Sequence, residues 1–166
     1  SGITFPATAH SSSNANTLDD YEEGTWTPAY TTSGTGFDSI THGSGRGARY
    51  VKIGRAVFIS GRLQTQAITI GSASGVLTMS GLPFTNLASV NGDDSSNAVS
   101  LSWARSFASN KVPEAVVVDD GVATAYFTTQ EADPWDNDSV GQLQYDDVDT
   151  GANKNNITFS GFYHTA

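Results

Sequence analysis

The sequence predicts an all-β protein: an antiparallel β-sandwich of the jelly-roll type, preceded by an extended stalk segment and a short helix. Three observations predict it. Residues 55–65 alternate, with Val57, Ile59, Gly61 and Leu63 on one face and Phe58, Ser60 and Arg62 on the other. That period of two is the mark of a half-buried strand. Residues 156–165 repeat it, with Ile157, Phe159, Gly161 and Tyr163 on one side. Turn signals at Gly54, Asn91-Gly92 and Asp120-Gly121 separate short runs of this kind, and no long helical pattern competes with them.

Taken in order, residues 1–16 hold few apolar side chains beyond Ile3 and Phe5, and read as an extended stalk. Thr17 then caps a short helix around 18–23, with Asp20 at the third helical position, Leu18 and Tyr21 on one face, and Gly24 as the stop. Residues 1–24 therefore form a stalk and collar, and residues 25–166 the sandwich. The first strand spans 25–32, with Pro28 tolerable only near an edge or a strand end. A Gly/Ser/Thr loop covers 34–47. Strands 49–53 and 55–65 flank Gly54 as a tight hairpin. Residues 76–81 form a short strand that Pro83 closes. Residues 98–104 place Val99, Leu101 and Trp103 on one face. Residues 115–119 and 122–129 make a hairpin about Asp120-Gly121. Residues 131–155 are acidic and turn-rich, with a weak strand near 142–145, and 156–165 is the last strand. The count is eight or nine strands.

Charge narrows the partners. The chain of 166 residues carries 17 acids against 8 Lys plus Arg, a net −9. Nucleic-acid binding needs clustered cations, and so does attraction to an anionic bilayer; neither is expected. No apolar run is long enough to insert into a membrane. Arg46, Arg49, Lys52, Arg55 and Arg62 concentrate the positive charge, as a solvated strand face or as a contact for acids of a neighbouring chain. There is no cysteine, hence no disulfide framework. Met79 is the only methionine, so the sequence reads as a piece of a longer polypeptide. Leu, Ile, Val and Phe make up about a fifth of the chain, a thin core that burial between identical subunits would supplement.

The run Leu18-Asp19-Asp20-Tyr21-Glu22-Glu23-Gly24-Thr25-Trp26-Thr27-Pro28 resembles the lead-in to the C-terminal tip domain of bacteriophage tail-fibre and receptor-binding proteins. The resemblance continues at 49–63, 80–84 and 157–165, under half the chain, and says nothing of 85–155. It implies a homotrimer at the distal end of a virion tail fibre, attaching to a bacterial surface glycan or outer-membrane protein. If three chains of −9 assemble, their contacts should be apolar or polar-neutral, with the acids outside.

No catalytic set is expected. His10, His42 and His164 lie in no nucleophile-elbow context, and the acids are too numerous for a glycosidase pair to be picked. A polysaccharide-degrading tail enzyme and a purely structural virion module are the alternative functions. Residues 136–141 open like a calcium loop, but Val140 stands at position five and Asp147 at twelve, so no metal or other cofactor is expected. The receptor candidates are the aromatics Trp135 and Tyr145 among Asp133, Asp136, Asp138 and Asp146, where a ring can stack on a sugar while carboxylates accept its hydroxyls. Asn91 and Asp93 are further candidates in a loop.

Overall fold

Eleven strands form one antiparallel sheet among the residues that this computed structural model describes: 2, 4, 20–90, 96–108, 111–130 and 140–165. They are β1 (Tyr21–Trp26), β2 (Ala29–Thr32), β3 (Ser39–His42), β4 (Gly47–Ile53), β5 (Ala56–Thr69) and β6 (Leu77–Ser80). The remainder are β7 (Asn97–Arg105), β8 (Ala115–Val118), β9 (Thr124–Gln130), β10 (Val140–Gln142) and β11 (Lys154–His164). The hydrogen-bonded path runs β1-β4-β5-β11-β7-β8-β9-β6-β2, with β3 added to β5 and β10 to β9. β1 and β2 stand at opposite ends of this path, yet only Thr27 and Pro28 separate them in sequence. The sheet must therefore curl until its two ends nearly meet. The protein is all-β, as the alternation predicts.

The helix expected around 18–23 is corrected. Leu18 and Asp19 lie outside the described residues, and Tyr21–Glu23 belong to β1, in register with Ile53, Lys52 and Val51 of β4. A helix of six residues is marginal on its own. The strand gains a full ladder, a hydrogen bond from Gly54 N to Asp20 O at 2.8 Å, and an ion pair between Lys52 and Asp20. β1 runs unbroken across residues 24 and 25. The strand expected at 25–32 is two, because Pro28 lacks the N–H that would continue it. Gly54 turns the β4–β5 hairpin at φ 57°, as expected, with Ile53 opposite Ala56.

Two further differences follow from tertiary pairing. The loop at 34–47 contains β3, which pairs with the far half of β5 from Ser39↔Thr69 to His42↔Thr65. On β7 the register with β11 slips between Trp103↔Thr158 and Leu101↔Phe159, so Ser102 is the extra residue of a bulge. Val99 is buried, whereas Trp103, beyond the bulge, faces solvent and stacks under Arg105, 4.5 Å from its ring.

The core lies in the curl, between a long arm of β1, β4, β5, β11 and β7 and a short arm of β8, β9, β6 and β2. Val57, Ile59 and Leu63 of β5, with Ile157, Phe159 and Tyr163 of β11, join one buried cluster with Leu77, Met79, Val116 and Phe127 from the other arm. Burial and a backbone hydrogen-bond site at Phe84 hold Tyr163 in place, and burial pushes its phenol up to about 12. Tyr30 sits across the closure, its ring 5.6 Å from Phe127 and its hydroxyl donating to Asn155 O at 2.8 Å.

His42, on β3 beside β5, reaches across to β2 at one end of the path. Its Nε2 accepts from Tyr30 N at 3.1 Å, so the ring must be neutral there. Burial, and then the nearby Arg46, lower its pKa to about 4. A free histidine takes its proton near pH ~6.5, so the unfolded chain binds that proton first. Stability is therefore full above about pH 6.5 and falls as pH drops toward 4. For a half-buried ring screened by solvent the loss from pH 7.5 to 5 should be about 1 kcal/mol. Urea unfolding at the two pH values should show this, and His42→Gln, which keeps an acceptor, should lose the difference. An equal pH dependence in both proteins would place the titration elsewhere.

Candidate functional site

On the outer face of the short arm, β6, β9 and β10 leave a polar hollow of about 260 Å³. Alternation along β9 decides which side chains reach it. Ala125 and Phe127 point into the core, so Thr124 and Tyr126 point outward. Thr78 of β6 stands opposite Tyr126, and Gln142 of β10 stands opposite Thr128. Ser33, Val76, Asp119 and Ala125 complete the lining. Asp119 is held at the β8–β9 turn, where its Oδ1 accepts from Asp120 N at 2.9 Å and its N donates to Thr124 O. Ser33 is fixed by reciprocal bonds with Val76, N to O and N to Oγ, both at 2.9 Å. One aromatic ring, one carboxylate, one amide and three hydroxyls thus line a concave surface that includes no cation. That set suits the hydroxyls and C–H faces of a neutral sugar; a uronate or sialate would meet Asp119 unfavourably.

Of the expected receptor residues, Tyr145 and Asp146 are described and neither lines this hollow; the others lie outside the described residues. Tyr145 donates its N–H to Gly75 O at 3.0 Å, one residue from Val76 of the lining. Asp146 is exposed on the same turn. Trp135, Asp133, Asp136 and Asp138 belong to the segment between β9 and β10, outside the described residues, as are Asn91 and Asp93. Sequence reasoning missed Tyr126 and Gln142. The alternation at 122–129 did carry the signal for Tyr126, since it places that ring opposite to Phe127.

A second concave region lies on the outer face of the long arm. Two adjoining hollows of about 760 and 410 Å³ share Arg49, Ser60 and Ser160. Their floor is set by small residues, while Phe58 and Phe162 rise beside them with rings 5.9 Å apart. Among the described residues, no three His, Cys, Asp or Glu side chains are grouped to hold a metal ion, and no helix is long and apolar enough to cross a membrane.

No protein-family model matches the chain, and no curated protein does. Among solved structures, the crystal structure of the Dettilon tailspike protein (gp208) shares the fold, with a TM-score of 0.57 at 20% sequence identity. The match covers 87% of this chain and 24% of the tailspike chain, so this chain spans about a quarter of that protein. The curled antiparallel sheet is thus a fold found within a phage tailspike.

Proposed function

We propose that the chain is a module of a phage tail protein that attaches the virion to a bacterial surface as a homotrimer, binding neutral surface glycan without catalysis. The single observation that carries this reading is the fold shared with a tailspike across 87% of the chain. The polar hollow about Tyr126 and Asp119 supports glycan over a protein receptor, because it offers a ring face and hydrogen-bonding groups at once. The curl, with one arm lying over the other, fits a jelly-roll-type sandwich at the distal end of a tail fibre or spike. Three weak sites on one trimer would act together, since the second and third contacts form at high effective concentration.

A glycan array read with the purified chain tests it. Binding to one or more neutral oligosaccharides is expected, with Tyr126→Ala weakening it at least about tenfold, the loss of a stacked ring and its hydrogen bond. Asp119→Asn should weaken it less. Prolonged incubation with the bound glycan should release no new reducing ends; product release would make the module a polysaccharide-degrading enzyme instead. Unchanged binding in Tyr126→Ala with unchanged folding would move the site away from this hollow.

A further inference from the structure

Tyr21 of β1, Ile53 of β4, Phe58 of β5, Phe162 of β11 and Trp103 of β7 are each between 39% and 49% exposed. Strand register puts all five on one face. Tyr21 pairs with Ile53, Phe58 with Phe162, and Trp103 with Thr158, which pairs in turn with Arg62. Eight large apolar residues are exposed among the described residues, and this face holds five of them. An apolar concentration of that size on a soluble surface marks an interaction site.

The relief of the face offers both halves of a head-to-tail contact. Between the aromatic ridge of Phe58 and Phe162 and the Trp103 side lies a row of short hydroxyl side chains, Ser60, Ser160 and Ser100, placed opposite one another by the register. Ser60 and Ser160 of this row line the larger hollow. A ridge beside a trough on the same surface is what copies of one surface need to interlock.

Charge selects the occupant. The chain carries −9, and its acids crowd turns such as Asp119-Asp120 and Asp146-Asp147. On this face the register leaves one acid, Glu23, at the β1 margin, while Arg49 and Arg62 stand further across. Identical acidic chains can approach here at the least electrostatic cost, and the acidic margin of one copy meets the basic middle of the next. That head-to-tail complementarity closes a ring when the rotation permits. We propose that this outer face of β1, β4, β5, β11 and β7 is where a second copy of the chain docks around a three-fold ring, an inference that rests on the trimeric reading above.

The full chain allows a clean test, because it has no cysteine. Wild type should sediment as three chains, and Phe58→Glu with Phe162→Glu as one, with unchanged circular dichroism. The thiol of Ser160→Cys should react with a maleimide at least about tenfold more slowly than that of Ala152→Cys, on an exposed turn; this comparison stands even if the double variant fails to fold. A single-chain mass for wild type at micromolar concentration overturns both the assembly and this face. A trimeric mass with rapid labelling of Ser160→Cys overturns the face alone. Slow labelling of Ser160→Cys in a single-chain species only when an array-positive glycan is added would make the occupant a sugar, and would also overturn it.

Discussion

Asn155→Ala is expected to cost about 3 kcal/mol of folding stability, roughly three net buried hydrogen bonds at about 1 kcal/mol each. Asn155 is fully buried at the start of β11, and its Nδ2 donates to Thr65 Oγ1 and to Asp149 O, both at 2.7 Å. Its Oδ1 accepts from Asp149 N at 2.8 Å. The same residue's N–H donates to Ser106 O and its carbonyl accepts from the Tyr30 hydroxyl. It thus ties β11 to β5, to the end of β7 and, through Tyr30, to β2 at the closure of the curl. Its φ of 46° lies in the left-handed region, which asparagine tolerates better than alanine. Asn155→Gly separates the two contributions: it removes the backbone strain yet still loses the side-chain bonds, so it should recover only part of the loss. Asn155→Asp loses both donated bonds, sets a buried carboxylate oxygen against the Asp149 carbonyl, and should be at least as damaging. Urea unfolding followed by tryptophan fluorescence reads all three. A loss under about 1 kcal/mol for Asn155→Ala would mean that water or rearranged backbone satisfies these groups instead.

Much of this fold is legible in the sequence wherever local chemistry and tertiary pairing agree. The alternation of Val57, Ile59 and Leu63 against Phe58 and Ser60 survives intact, as does that of Ile157, Phe159 and Tyr163, because both strands lie mid-sheet with one face in the core. The Gly54 and Asp120-Gly121 turns fall between the strands they were expected to join. What is not legible depends on partners distant in sequence. Thr17 to Gly24 carries helix signals, but Tyr21–Glu23 find Val51–Ile53 and pair with them; propensity yields to the ladder. β3 hides in a glycine-rich stretch because its only described ladder is the far half of β5. Trp103 leaves the core side through one bulged residue that no alternation rule shows.

The candidate site follows the same rule. Tyr126 was readable from β9 and Asp119 from the hairpin turn beside it, but Ser33 and Gln142 come from segments that only pairing distant in sequence brings here. Assembly presents a related case. Composition points to a thin core in need of partners, yet the described residues close a continuous buried cluster within one chain. The stronger support for the proposed self-association is therefore the apolar outer face, where Phe58 and Phe162 stand exposed beside an almost acid-free surface.

Gly61→Val is expected to destabilise the fold by about 3 kcal/mol, at the upper end of the usual cost of overpacking. Gly61 faces inward on β5, between Ala48 of β4 and Phe159 of β11. A Cβ there would lie 2.4 Å from Ala48 Cβ, 2.8 Å from Phe159 Cζ and 3.0 Å from Ala48 Cα. The Phe159 ring cannot swing away freely, since Trp26 lies against it at 5.8 Å between centroids. The sequence places a glycine on the core face, where it would ordinarily weaken a strand. The structure gives the reason: Ala48 of β4 and the Phe159 ring of β11 fill the space that its side chain would occupy. Gly61→Ala should cost about 2 kcal/mol by the same clash, with less bulk to accommodate. Removing the closest obstacle should then restore part of the loss, so Gly61→Ala with Ala48→Gly should be more stable than the sum of the two single changes predicts. Thermal or urea unfolding of the four proteins closes that cycle. Strict additivity would show that the cost of a side chain at position 61 arises from something other than contact with Ala48, and would leave the Phe159 ring as the element that refuses to move.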